Sequence, residues 1–119
     1  MSFDSLSDAE KALVGQALRA AARGPFFPDH EFLALFGFER NEFCVIADAW
    51  PAVVADREDM ALAITESVFH LLYYPHRKQA IWSDWISVDR PQLGELYETL
   101  RGSGFLDDGW GSIWSSIRK

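Results

Sequence analysis

Apolar residues recur at helical spacing in a series of short runs along this chain, and each run is bounded by residues that start or stop helices. Leu13, Val14, Ala17, Leu18 and Ala21 share one helical face. Ser7 and Glu10 precede them at capping-box spacing, and Gly24-Pro25 ends the run. The spacing predicts a first helix of about four turns, and its many alanines predict close approach to a neighbouring helix. Asp29 stands where it would cap a second helix that carries Phe32, Leu33, Leu35 and Phe36 and stops at Gly37. Phe38 and Phe43 then take the two positions of a hydrophobic staple if Glu39 is the N-cap of a third helix, over residues 40–50, ended by Pro51. Gly37 thus marks a tight helix-to-helix turn, the most informative joint in the chain.

Asp56, Glu58 and Asp59 crowd the start of the next segment, where carboxylates interact well with the positive end of a helix dipole. Met60, Ile64, Val68, Leu71 and Leu72 follow, predicting a central fourth helix from Arg57 to Tyr74. Ile81, Trp82, Trp85 and Ile86 mark a shorter helix, expected to be irregular at its end. Asp89 and Gln92 then repeat the capping-box spacing, with Val88 and Leu93 as staple and Pro91 in the first turn. Leu93, Leu96, Tyr97 and Leu100 supply that helix's buried face, and Gly102-Ser103-Gly104 closes it. In the tail, residues 105–119, the positions Trp110, Ile113, Trp114 and Ile117 form one more stripe, expected to dock as a short helix on the body or on a second copy. No strand alternation competes. Residues 1–119 are therefore expected to form one all-α domain of five to seven short helices, packed as an orthogonal bundle.

Composition narrows the function. A chain of 119 residues that is 49% hydrophobic can bury a core without a metal or a disulfide. Its single cysteine, Cys44, permits no internal disulfide, and with no secretory leader pattern at the N-terminus a reducing cytoplasm is the expected location. No apolar run approaches the roughly 20 residues that span a bilayer. Eighteen acidic against eleven basic side chains give a net charge of -7, which repels phosphate backbones and anionic lipid. A partner selected by charge should be basic.

Phe32, Phe36, Gly37, Phe38, Phe43 and Ile46 match the apolar skeleton of a DNA-binding helix-turn-helix. Two features depart from it. Leu33 stands where that unit needs a small residue, and residues 29–48 carry five acidic side chains against one basic, Arg40. A divergent helix-turn-helix regulator is the second reading, and nucleic acid is not the expected partner. Glu66 and His70 lie one turn apart on the fourth helix, where they could serve as two metal ligands or an oriented acid-base pair, and a small metal or acid-base enzyme is the third reading. An ordinary surface or core pair explains that spacing more simply, so no metal site, cofactor or catalytic residue is assigned.

Tyr73-Tyr74-Pro75-His76-Arg77-Lys78 is the only compact basic island, where the cations either hold an anionic partner or simply face the negative end of the fourth helix. Cys44 sits beside the buried face of the third helix with no histidine near in sequence, and is read as a buried structural thiol. The nucleophile elbow, the phosphate-binding loop, the dinucleotide glycine fingerprint and the H-E-x-x-H zinc motif are all missing, which weighs against an enzyme. Of five tryptophans, Trp50 and Trp82 belong in the core, whereas Trp85, Trp110 and Trp114 belong near the surface. With Tyr73, Tyr74, His76 and Arg77 they are the candidate interaction residues.

Phe27-Pro28-Asp29-His30-Glu31-Phe32, Leu35-Phe36-Gly37-Phe38, Ala49-Trp50-Pro51 and Tyr74-Pro75-His76 together resemble small bacterial proteins of actinobacterial type, across most of residues 25–90. The resemblance implies no activity. In size and acidity the chain is also similar, as a class and not in sequence, to immunity proteins that neutralise basic toxins. The function expected is a protein-interaction module that neutralises or regulates a basic protein, with a homodimer as a further possibility and no membrane partner.

Overall fold

The computed structural model describes residues 6–54, 56–74 and 77–102. Among them are six α-helices and no strand: α1 (Asp8–Arg23), α2 (Asp29–Phe36), α3 (Arg40–Ala49), α4 (Arg57–Tyr73), α5 (Trp82–Trp85) and α6 (Arg90–Gly102). The all-α architecture is the expected one. A 3-10 turn, Gln79–Ile81, leads into α5, so the irregularity lies at its beginning and not at its end as expected. The C-terminal stripe from Trp110 to Ile117 lies outside the described residues.

Local chemistry sets most boundaries. Ser7 and Glu10 form the capping box of α1: the Glu10 amide donates to Ser7 Oγ at 3.1 Å, and the Ser7 amide donates to Glu10 Oε1 at 2.7 Å. Asp89 and Gln92 repeat it at α6, and Asp56 Oδ1 accepts from the Asp59 amide at the start of α4. Gly37 closes α2 in the left-handed region, φ 76°, which an L side chain enters only at a cost, and the Phe38 and Phe43 rings meet beyond it at 5.9 Å. One expected cap is different. Pro28, not Asp29, precedes α2 and makes no side-chain cap; Asp29 is the first helical residue and turns its carboxylate toward Arg40.

The core is centred on α4, which packs on α1, α6, α2 and α3. Its Met60, Ala63, Ile64, Val68 and Leu71 have essentially no exposure. On α1, Ala17, Ala20, Ala21 and Ala22 are equally buried, which lets the backbones of α1 and its neighbours close up as the alanine content predicts. Gly15 takes this furthest, since a Cβ there would sit 3.1 Å from Trp50 Cδ1. Trp50 and Trp82 are both core residues, as expected. No helix among the described residues is long and apolar enough to cross a membrane.

Candidate functional site

Arg40, the one cation between Asp29 and Asp48, is an internal brace. It begins α3 beneath the end of α1, and its guanidinium donates to the carbonyls of Ala22 and Phe27 at 2.7 Å each. Its Nε lies 2.6 Å from Asp29 Oδ1 without hydrogen-bond alignment, and its cationic carbon sits 4.3 Å above the Phe32 ring. The Ala22 carbonyl is one of the C-terminal groups that α1 cannot satisfy internally, and the Phe27 carbonyl belongs to the connector that follows. In a helix-turn-helix the corresponding surface must offer positive charge to phosphate, yet here its one cation is turned inward.

Leu33 also differs from expectation. It is 56% exposed, so it does not block the crossing of α2 and α3; Phe32 and Phe36 make the buried contact instead, each against Phe43 of α3 with ring centroids 5.4 and 5.1 Å apart. The outward face of α3 carries Asn41, Glu42, Val45 and Asp48, all exposed. Asp48 is held by Arg23 of α1 through a two-point contact, 3.2 Å from Nε to Oδ1 and 2.5 Å from the terminal nitrogen to Oδ2. That hydrogen bond holds the Asp48 carboxyl below its ordinary range and raises Arg23.

Glu66 and His70 do meet, at 2.7 Å from Oε2 to Nε2. The same Nε2 is 3.0 Å from the carbonyl of Leu35, in the last turn of α2. Both oxygens are acceptors, so Nε2 carries the proton. The ring packs edge-on against Phe36 and Phe27 at 5.2 and 6.3 Å, and both polar side chains are only about one-seventh exposed, 14% and 13%. The pair thus ties α4 to the end of α2. Among the described residues no group of three metal-type side chains forms.

The aromatic and basic candidates separate. Tyr73 is 64% exposed and stacks its ring obliquely on Phe69, while Tyr74 turns inward and donates its hydroxyl to Glu31 Oε2. That hydrogen bond, together with desolvation, raises the Tyr74 phenol above its ordinary value. Arg77 is exposed, with its backbone in the left-handed region at φ 57°, and Trp85 is half-buried against the core. His76, Trp110 and Trp114 lie outside the described residues. Cys44 is half-buried rather than buried, its Sγ 3.8 Å from the Ala22 carbonyl, with Arg23 within electrostatic range.

The surface residues that sequence reasoning passed over are aliphatic. Of the large apolar side chains exposed among the described residues, Leu33, Val45, Val53 and Val54 all fall within residues 29–59, leaving only Tyr73 elsewhere. That same segment has eight acidic side chains against two basic, a balance of -6 out of the chain's -7. The charge concentration and the place of Val45 on the polar side of α3 were legible in the sequence; the exposure of Val53 and Val54, which lie in no helix, was not. No protein family, no curated protein and no solved structure matches the chain.

Proposed function

We propose that this chain is a protein-interaction module whose α2–α3 side and following loop bind a basic protein. The supporting observation is the coincidence just described, of exposed aliphatic side chains with nearly all the net negative charge in one segment of 31 residues, 29–59. Val45 is the clearest anchor: it is 62% exposed, and Glu42 and Asp48 lie one helical turn to either side. An apolar centre with a charged rim is the usual anatomy of a protein interface. The acidic rim would favour encounter with a basic surface, and neutralisation of a toxin-like or regulatory protein is the concrete form of this reading.

The test is capture from the native host with the full chain, its V45R variant and, as control, S83E, which changes an exposed residue of α5. A basic protein retained by wild type and S83E but lost by V45R supports the reading, and its retention should weaken with salt. Equal capture by V45R, or capture of acidic proteins only, would overturn it. The left-handed Gly37 turn between α2 and α3 keeps the helix-turn-helix regulator as a second reading, distinguished by duplex DNA that shifts in a gel with steep salt dependence.

A further inference from the structure

We propose that the groove between α1 and α6 is the seat of the chain's own C-terminal segment, through Trp110, Ile113, Trp114 and Ile117. Helices α1 and α6 both make substantial contacts elsewhere in the bundle, α6 on α4 and α1 on α4 and α3, yet barely touch each other. They leave a cleft of about 470 Å³ whose walls include Ala9, Ala12, Leu13, Val88, Leu96 and Thr99. That volume is within the range of roughly 300–1,000 Å³ that holds large apolar groups.

Length and reach match. The groove follows α6 from Gln92 to Thr99 and α1 from Ala9 to Gln16, a length of about 12 Å at the helical rise, the same as that of a helix over 110–117. Its positions i, i+3, i+4 and i+7 put all four apolar side chains on the face that would enter the cleft. One end is closed, because the Ser87 amide and hydroxyl both donate to Gln16 Oε1 at 2.8 and 3.0 Å. From there α6 carries the chain toward the opposite end of the groove and finishes at Gly102, three residues beyond Thr99. The seven residues 103–109 span at most ~23–25 Å, which suffices to turn back into the cleft. The charged residues of the lining are Glu10 and Glu95, so a segment that ends in Arg118 and Lys119 meets no cation there.

This inference does not depend on the partner proposed above, since it concerns the opposite use of apolar surface, within the chain. Hydrogen exchange of the full chain tests it. Amides of 110–117 should exchange at least about tenfold more slowly than in a free peptide of that sequence, independently of protein concentration. In A9R/T99R, which places two long cations at exposed edges of the groove, that protection should fall to the peptide level while α4 stays protected. Should A9R/T99R fail to fold, W114E in the tail must give the same loss with the bundle intact. Free-peptide exchange in the wild type would overturn the proposal, as would protection untouched by both variants. Protection that rises with concentration would also overturn it, because a second copy would then be the occupant.

Discussion

Replacing Arg40 should cost more stability than any other surface-reaching charge in the described residues. The side chain makes two 2.7 Å hydrogen bonds to carbonyls that close α1 and the connector to α2. A hydrogen bond from a charged donor contributes about 1.5–3 kcal/mol. Its side chain is 23% exposed, so the carbonyls freed by R40A partly rehydrate and the low end applies, about 3 kcal/mol for the two. Loss of the contact over Phe32 adds about 0.5–1 kcal/mol. The Asp29 partner is 89% exposed and is counted as nothing. R40A should therefore lose about 3–4 kcal/mol, a large part of the ~6–18 kcal/mol expected at 0.05–0.15 kcal/mol per residue. At about 3–5 °C per kcal/mol for a domain of this size, the melting temperature should fall by about 10–20 °C. R40K separates geometry from charge, because an ammonium satisfies one carbonyl where the planar fork reaches two, and it should lose about half as much. Urea titrations followed by tryptophan fluorescence and circular dichroism give both numbers. R40K indistinguishable from wild type, or an R40A loss below about 1 kcal/mol, would refute the bracing role.

Two glycines should respond oppositely to alanine: G94A, where an added Cβ meets nothing within 4 Å, should stabilise by about 0.5–1 kcal/mol. G15A presses its methyl on Trp50 at 3.1 Å and should destabilise by about 1 kcal/mol; both are read from denaturation midpoints, and a stabilised G15A would show that the indole yields freely. H70A should cost about 2 kcal/mol by leaving Glu66 and the Leu35 carbonyl without their shared donor, and H70Q should cost less; equal losses in the two would disprove the role of Nε2. The Asp48 carboxyl is held low by Arg23, so its contribution is present above the ordinary value of 3.8 and disappears as pH falls through the lower folded value. D48N should flatten the acid limb of the stability profile below about pH 4, and an unchanged limb would contradict the pairing. The Tyr74 phenol is raised by Glu31, so its contribution is complete below 10.0 and is lost as pH rises through the folded value. Y74F should lose less stability than wild type in that alkaline window.

The helices were readable because each joins an apolar period to a stop signal that acts locally. Gly37, Ser7 with Glu10, and Asp89 with Gln92 all function within three or four residues of chain. Pairs distant in sequence were not readable in the same way. Arg40 looked like the single cation of an acidic surface, and nothing local to it says that the end of α1, 18 residues earlier, supplies its acceptors. Asp29 has the right type for a cap, yet Pro28 takes that position and frees the carboxylate to face Arg40. Glu66 and His70 could be placed on one face from spacing alone, but the Leu35 carbonyl, 35 residues away, decides what their nitrogen does. Val45 lies on the polar side of an amphipathic period, so its exposure follows from the helix, whereas its meaning depends on the charges around it.

A common pattern connects the polar residues that first suggested chemistry. Helix ends expose carbonyls with no internal partner, and in a small bundle with short connectors these ends are pressed against neighbouring helices where water has limited access. Each needs a donor from elsewhere. Arg40 of α3 supplies the end of α1, His70 of α4 the end of α2, and Arg90 of α6 donates to the Leu72 carbonyl at the end of α4. In all three cases the donor comes from a helix later in the chain, so each of these helices locks one that precedes it in sequence. The residues most like catalytic or phosphate-binding groups are thereby occupied in holding the bundle, and what remains at the surface of α2 and α3 is aliphatic and acidic. That remainder is what supports the proposed basic partner, and it directs the search for function to the exposed face of α3 rather than to the histidine.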